Sequence, residues 1–158
     1  MNQSHVKKHI KNCLLVGIYA HQISINEKLE LISSEFVINL KNPVTSESWY
    51  WRLEWSEDAK GQDLLIIHEQ QTPEPLKFTT EPIISNDYFI LDSRFSFDDN
   101  NINQVIGYGY KDTNYEILRS LVFEFENAYL LVNTGPIIEM KYVKVKPKLQ
   151  QDIIFTMN

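Results

Sequence analysis

The most restrictive feature of this chain is the strict alternation in Trp49-Tyr50-Trp51-Arg52-Leu53-Glu54-Trp55. Trp49, Trp51, Leu53 and Trp55 share one side of an extended backbone, and Tyr50, Arg52 and Glu54 the other. A period of two is the pleat of a β-strand, whereas a helix would scatter the indoles around its circumference. The segment therefore predicts a half-buried antiparallel strand with an apolar layer packed over its indole side. The same alternation returns where Leu121, Phe123 and Phe125 oppose Val122, Glu124 and Glu126. Asn127-Ala128 then forms a step short enough to turn the chain into Tyr129-Leu130-Leu131-Val132 as a hairpin. A longer loop over 56–62, containing Lys60-Gly61, joins the tryptophan strand to Asp63-Leu64-Leu65-Ile66-Ile67-His68.

Short runs of β-branched and aromatic residues recur along the whole chain, while alanine, the best helix former, appears only at positions 20, 59 and 128. Strands are expected over 13–20, 34–41, 48–56, 63–69, 87–92, 104–111, 117–126, 128–134, 137–146 and 152–156. The expected fold is mainly β, an antiparallel sandwich or partly closed barrel, preceded by a short helix that Ser4 caps and on which Val6 and Ile10 share a face. With 158 residues the chain suits a single domain over 1–158. Its best internal boundary is the connection 72–82, which holds Pro73, Pro75 and Pro82. The flanking units, 13–71 and 83–147, have similar patterns. Val16-Gly17-Ile18-Tyr19, Leu29-Glu30-Leu31-Ile32 and Phe36-Val37-Ile38-Asn39-Leu40 stand beside Ile106-Gly107-Tyr108-Gly109, Tyr115-Glu116-Ile117-Leu118 and Leu121-Val122-Phe123-Glu124-Phe125. Either half alone would leave a sheet face bare, so the two are expected to share one core.

Acidic residues outnumber basic ones by 21 to 15, for a net charge of -6, which opposes nonspecific attraction to nucleic-acid phosphates. The lone Cys13 cannot form an internal disulfide, and cysteine-based zinc clusters lack their ligands, so a reducing cytoplasm is the expected compartment. Lys7, Lys8 and Lys11 precede the apolar run 13–20 in the manner of a signal peptide. That run lacks a small-x-small cleavage site and is read instead as a buried strand, too short to span a bilayer. The scarcity of alanine and arginine beside abundant Asn, Ile and Lys resembles the usage of an AT-rich bacterial genome.

Reactive constellations are few. His5 and His9 have the i, i+4 spacing of a helical metal pair, but Val6 stands where a zinc-protease motif needs glutamate, and no third ligand follows. Asp98-Asp99-Asn100-Asn101 gathers oxygen donors like a calcium loop, yet Asn103 and Gly109 replace its glycine and its bidentate glutamate. Gly107-Tyr108-Gly109 lacks the third glycine and the helix of a dinucleotide fingerprint, and reads as strand positions tolerating a bulge. Cys13, set among Leu14, Leu15 and Val16, reads as an inert core thiol. No catalytic, metal or cofactor residue is assigned, and no cofactor is expected.

Acidic residues at the connections carry the functional expectation. Glu54, Glu57, Asp58 and Asp63 flank the first long hairpin, and Asp98, Asp99 and Asp112 lie on connections of the second half. Such groups steer a cationic surface into register, which makes these seven the candidate partner-binding residues. The expected function is a non-catalytic protein-binding module, an immunity-type inhibitor that covers the basic cleft of a cognate bacterial toxin, with neither nucleic acid nor membrane as partner. The alternative is a β-barrel or sandwich that binds a small ligand or sugar, with Trp49, Trp51 and Trp55 as a stacking platform, or with Tyr88, Tyr108, Tyr110, Tyr115 and Tyr129 around a pocket mouth.

Overall fold

A computed structural model describes residues 9–20, 24–25, 30–72, 74 and 93–158. The first of its two antiparallel sheets contains β1 (Leu14–Ala20), β4 (Glu35–Lys41), β5 (Ser48–Glu57), β6 (Asp63–Gln70) and β7 (Ser93–Phe95), in the order β6-β5-β4-β1-β7. The second contains β2 (Ser24–Ile25), β3 (Glu30–Ser33), β8 (Gln104–Lys111), β9 (Glu116–Glu124), β10 (Tyr129–Asn133), β11 (Ile138–Val143) and β12 (Asp152–Met157), ordered β12-β8-β9-β10-β11-β3-β2. The fold is thus mainly β and sandwich-like, as the alternation requires. The expected helix at Ser4 and strand at 87–92 lie outside the described residues.

The tryptophan strand behaves as its period demands. Trp49, Trp51 and Leu53 point inward and are buried, and β4 supplies Phe36, Ile38 and Leu40 beside them. From the facing sheet come Val105, Leu121, Phe123, Leu130, Val132, Ile138 and Met140, so one core belongs to both halves of the chain. Trp51 meets Phe123 across the gap between the sheets, with ring centroids 6.0 Å apart and planes tilted by 49°. Such tilted pairs contribute about 0.5–1.5 kcal/mol beyond their buried area. Cys13 is buried among these residues, as a core thiol would be.

The meander β1-β4-β5-β6 in one sheet has a counterpart, β8-β9-β10-β11, in the other, and β7 flanks β1 as β12 flanks β8. The match breaks at one place. Glu30–Ser33 leaves its own sheet and pairs with β11, Ser33 opposite Ile138, before the chain re-enters the first sheet at Glu35. The segment set beside it by pattern, Glu116-Ile117-Leu118, instead runs directly into β9.

The outer faces are not simply wet. Tyr19 and Val37 form a buried patch with Tyr50 on the outside of the first sheet, and Arg52 and Glu35 are buried close by, joined at 2.8 Å. On the outside of the second sheet, Ile106, Tyr108 and Val122 pack with Tyr129, Leu131 and Leu149. Leu149 belongs to the connection 144–151, which carries the chain from β11 to β12 at the other side of β8.

Candidate functional site

Six of the seven candidate acids occupy opposite ends of the sandwich. Glu57, Asp58 and Asp63 belong to the β5–β6 reversal, and Asp112 to the β8–β9 reversal. These two tips are neighbours. Lys60 Nζ lies 5.0 Å from the Tyr115 ring centre, Arg119 Nη2 donates to Gln62 Oε1 at 2.7 Å, and Thr134 Oγ1 donates to the Leu64 carbonyl at 3.3 Å. Glu116 and Asp152 join them, with Asp152 Oδ2 accepting from the Lys111 amide. Six carboxylates, of Glu57, Asp58, Asp63, Asp112, Glu116 and Asp152, therefore stand with three cations, Lys60, Lys111 and Arg119, at this end.

Each tip is held by its own acid. Asp58 Oδ1 accepts from the Lys60 and Gln62 amides, both at 2.8 Å, and Gly61 takes the left-handed conformation (φ 73°) that closes the turn without a Cβ penalty. Asp112 Oδ1 accepts from the Asn114 amide at 2.9 Å, while Tyr110 and Tyr115 pack with centroids 6.1 Å apart. Asp63 Oδ1 accepts from Trp55 Nε1 at 2.8 Å, which fixes the carboxylate directly opposite Glu57 in the ladder. Like charges facing across a ladder lower stability, so this pairing is one that packing alone would not select.

Glu54 stands apart from the tip. It lies farther down β5 on the outer face, where its Oε2 is 3.4 Å from His68 Nε2.

Asp98 and Asp99 sit at the opposite end, because β8 lies between them and Asp112. Eight extended residues span about 26 Å. Here the polar run works as a staple. Asp99 Oδ2 accepts from the Asn127 amide, Asn100 Nδ2 donates to the Leu15 carbonyl and Asn103 Nδ2 to the Phe125 carbonyl. Phe97 stacks on Tyr142 at 4.1 Å, and the Tyr142 hydroxyl donates to the Asp99 carbonyl. Burial, then the charges of Asp99 and Asp98, hold the Tyr142 hydroxyl above its ordinary pKa. Among the described residues no group of three or more His, Cys, Asp or Glu side chains is placed to hold a metal ion.

The sugar platform does not form. Trp49 and Trp51 are core residues at 2% and 0% exposure, and Trp55 alone reaches the edge of the core. Nor do the tyrosines ring one pocket. Tyr108 is buried on the outer face of the second sheet, Tyr110 and Tyr115 mark the tip, Tyr129 lies toward the other end, and Tyr88 is outside the described residues. His9 is exposed. A bulge does occur at Tyr108/Gly109, in the expected Gly107-Tyr108-Gly109 run.

Two clefts that the sequence did not announce open beside the tips. One, of about 470 Å³, is lined by Gln62, Asp63, Arg119, Ser120, Asn133 and Gln151, among others. The other, of about 450 Å³, shares Arg119 and Gln151 and adds Tyr110, Leu149 and Asp152. In comparisons with known proteins, no family model matches the chain, and no curated protein or solved structure is significantly similar to it.

Proposed function

We propose that this chain is a non-catalytic protein-binding module that presents the paired β5–β6 and β8–β9 tips to a basic partner. Within that class the reading is an immunity-type inhibitor that neutralises a cognate bacterial toxin by covering its basic active-site cleft. The observation that carries the proposal is Glu57 held opposite Asp63 at the head of a group of six carboxylates. The chain tolerates the repulsion of that pair at an end of the sandwich where Glu57 is exposed. A nuclease-type toxin concentrates cations where it grips phosphate, so the field of these carboxylates speeds encounter and orients docking.

The test pairs the purified chain with the toxic product of a neighbouring gene, identified by its effect on growth, and reads complex formation, growth rescue and association rate. Glu57→Lys with Asp112→Lys should slow association by about tenfold at low salt, with the difference shrinking as salt rises. Asp98→Lys, at the other end, should leave the rate within about twofold of the parent. Failure to form a complex or restore growth would end the proposal, as would an Asp98→Lys effect equal to that of the tip variant.

A further inference from the structure

Arg119 owes its position to a break in register. Tyr108 pairs with Ser120 and Gly109 with Leu118, which leaves Arg119 as the extra residue of a β-bulge, the device that re-aims a side chain out of the normal alternation. Gly109 permits the bulge, since a Cβ there would lie 1.7 Å from the Ile117 carbonyl oxygen. The re-aimed guanidinium lines both clefts. A guanidinium has five N–H donors. Of these, the described residues engage Nη2, through Gln62, while Nε is buried without a partner. No carboxylate among the described residues lies within ion-pair distance of it, although acids surround this end of the molecule.

We propose that the two clefts sharing Arg119 form a binding site for a zwitterion of the amino-acid class, its carboxylate on the Arg119 guanidinium and its ammonium toward Asp63 or Asp152. The geometry of the fork suits a carboxylate. A bare anion would also meet the field of six nearby carboxylates, and a bare cation would meet Arg119 itself. A molecule that carries both charges side by side satisfies both walls, because each cleft contains Arg119 and one carboxylate, Asp63 in the first and Asp152 in the second. The Gln62, Asn133 and Gln151 amide nitrogens face a polar side chain of the ligand there, while the Ser120 hydroxyl already donates to Asn133 Oδ1 and the Thr134 hydroxyl to the Leu64 carbonyl. This site does not depend on the partner-docking reading and can fail or stand without it.

The experiment uses the full chain labelled with ¹⁵N. Its three arginines, Arg52, Arg94 and Arg119, give three Nε–Hε signals, and Arg119→Lys assigns one by its loss. Glutamine, acetate and sodium chloride are titrated separately at matched ionic strength. Glutamine should move the Arg119 signal saturably and bind about tenfold more tightly than acetate, while chloride leaves it in place. Asp63→Asn or Asp152→Asn should abolish the advantage of glutamine over acetate, with the remaining amide spectrum reporting that the fold persists. The proposal is overturned if glutamine gives no saturable shift, if acetate or chloride moves the signal as well as glutamine does, or if neither asparagine variant changes the preference.

Discussion

Replacing Arg52 by methionine should be among the most damaging single changes outside the core, even though Arg52 points away from it. Both Arg52 and Glu35 have side chains only 3% exposed, and Nη1 meets Oε2 at 2.8 Å. Arg52 Nε also donates to Gln70 Oε1 at 3.5 Å, and Nη2 donates to the Glu74 carbonyl. Methionine keeps much of the stem's volume but removes the cation that lies 2.8 Å from the buried Glu35 carboxylate. Breaking a buried pair from one side costs about 3–5 kcal/mol. Removing both charges, with Glu35→Leu and Arg52→Met together, takes the buried carboxylate away with its cation and forfeits the bonds to Gln70 and Glu74, about 1 kcal/mol each. The double variant should therefore be more stable than Arg52→Met alone by at least about 1 kcal/mol. Urea unfolding at neutral pH, followed by the emission of the buried Trp49 and Trp51, measures all four corners of the cycle. A loss below about 1 kcal/mol for Arg52→Met, or a double variant as damaged as the two singles added together, would refute the reasoning.

Gly109→Ala should destabilise by about 2 kcal/mol or more, because its new methyl group would sit 1.7 Å from the Ile117 carbonyl oxygen, a backbone atom that moves only if the bulge opens. Gly107→Ala should cost less in the same urea titration, since the atoms in its way belong to the Phe155 ring, which can rotate. Phe123→Ala, at a fully buried position against Trp51, should cost about 3–5 kcal/mol by thermal or urea unfolding. The raised pKa of Tyr142 means that unfolding lets its hydroxyl ionise earlier, so its contribution holds below the unfolded value of 10.0 and is lost as pH rises through the folded value. Tyr142→Phe should flatten the fall in stability above that pH, measured as urea midpoints on the alkaline side.

The strands with a clean period of two were legible because one apolar layer was enough to determine their facing. Ser48–Glu57 and Glu116–Glu124 lie within one or two residues of their expected limits for that reason. The β3 strand, Glu30–Ser33, was not legible as a strand of the second sheet, because four residues carry little period and its partner β11 is distant in sequence. Arg52 and Glu54 read alike as outward polar positions, yet Arg52 is buried and Glu54 is not; the outward apolar set Tyr19, Val37 and Tyr50 was the available hint that this face is covered. For the candidate site, the acids were visible but their grouping was not. Simple reach would have separated Asp99 from Asp112, since an expected strand over 104–111 stands between them. Arg119 gave no signal, because a bulge depends on a two-against-one pairing that no single strand encodes.

The placement of β3 against β11 bears on how the protein is made. While the ribosome is still working through the second half, Leu31 and its neighbours can pair only with β2, Ile25 opposite Leu31, because the backbone on their other side, around Met140, does not yet exist. The first meander then emerges with one stitch open, which closes only when β11 has been made. Cutting the gene at the proline connection and expressing the pieces separately should thus give two fragments that need each other, with the loose N-terminal hairpin exposed to proteases until its other half arrives.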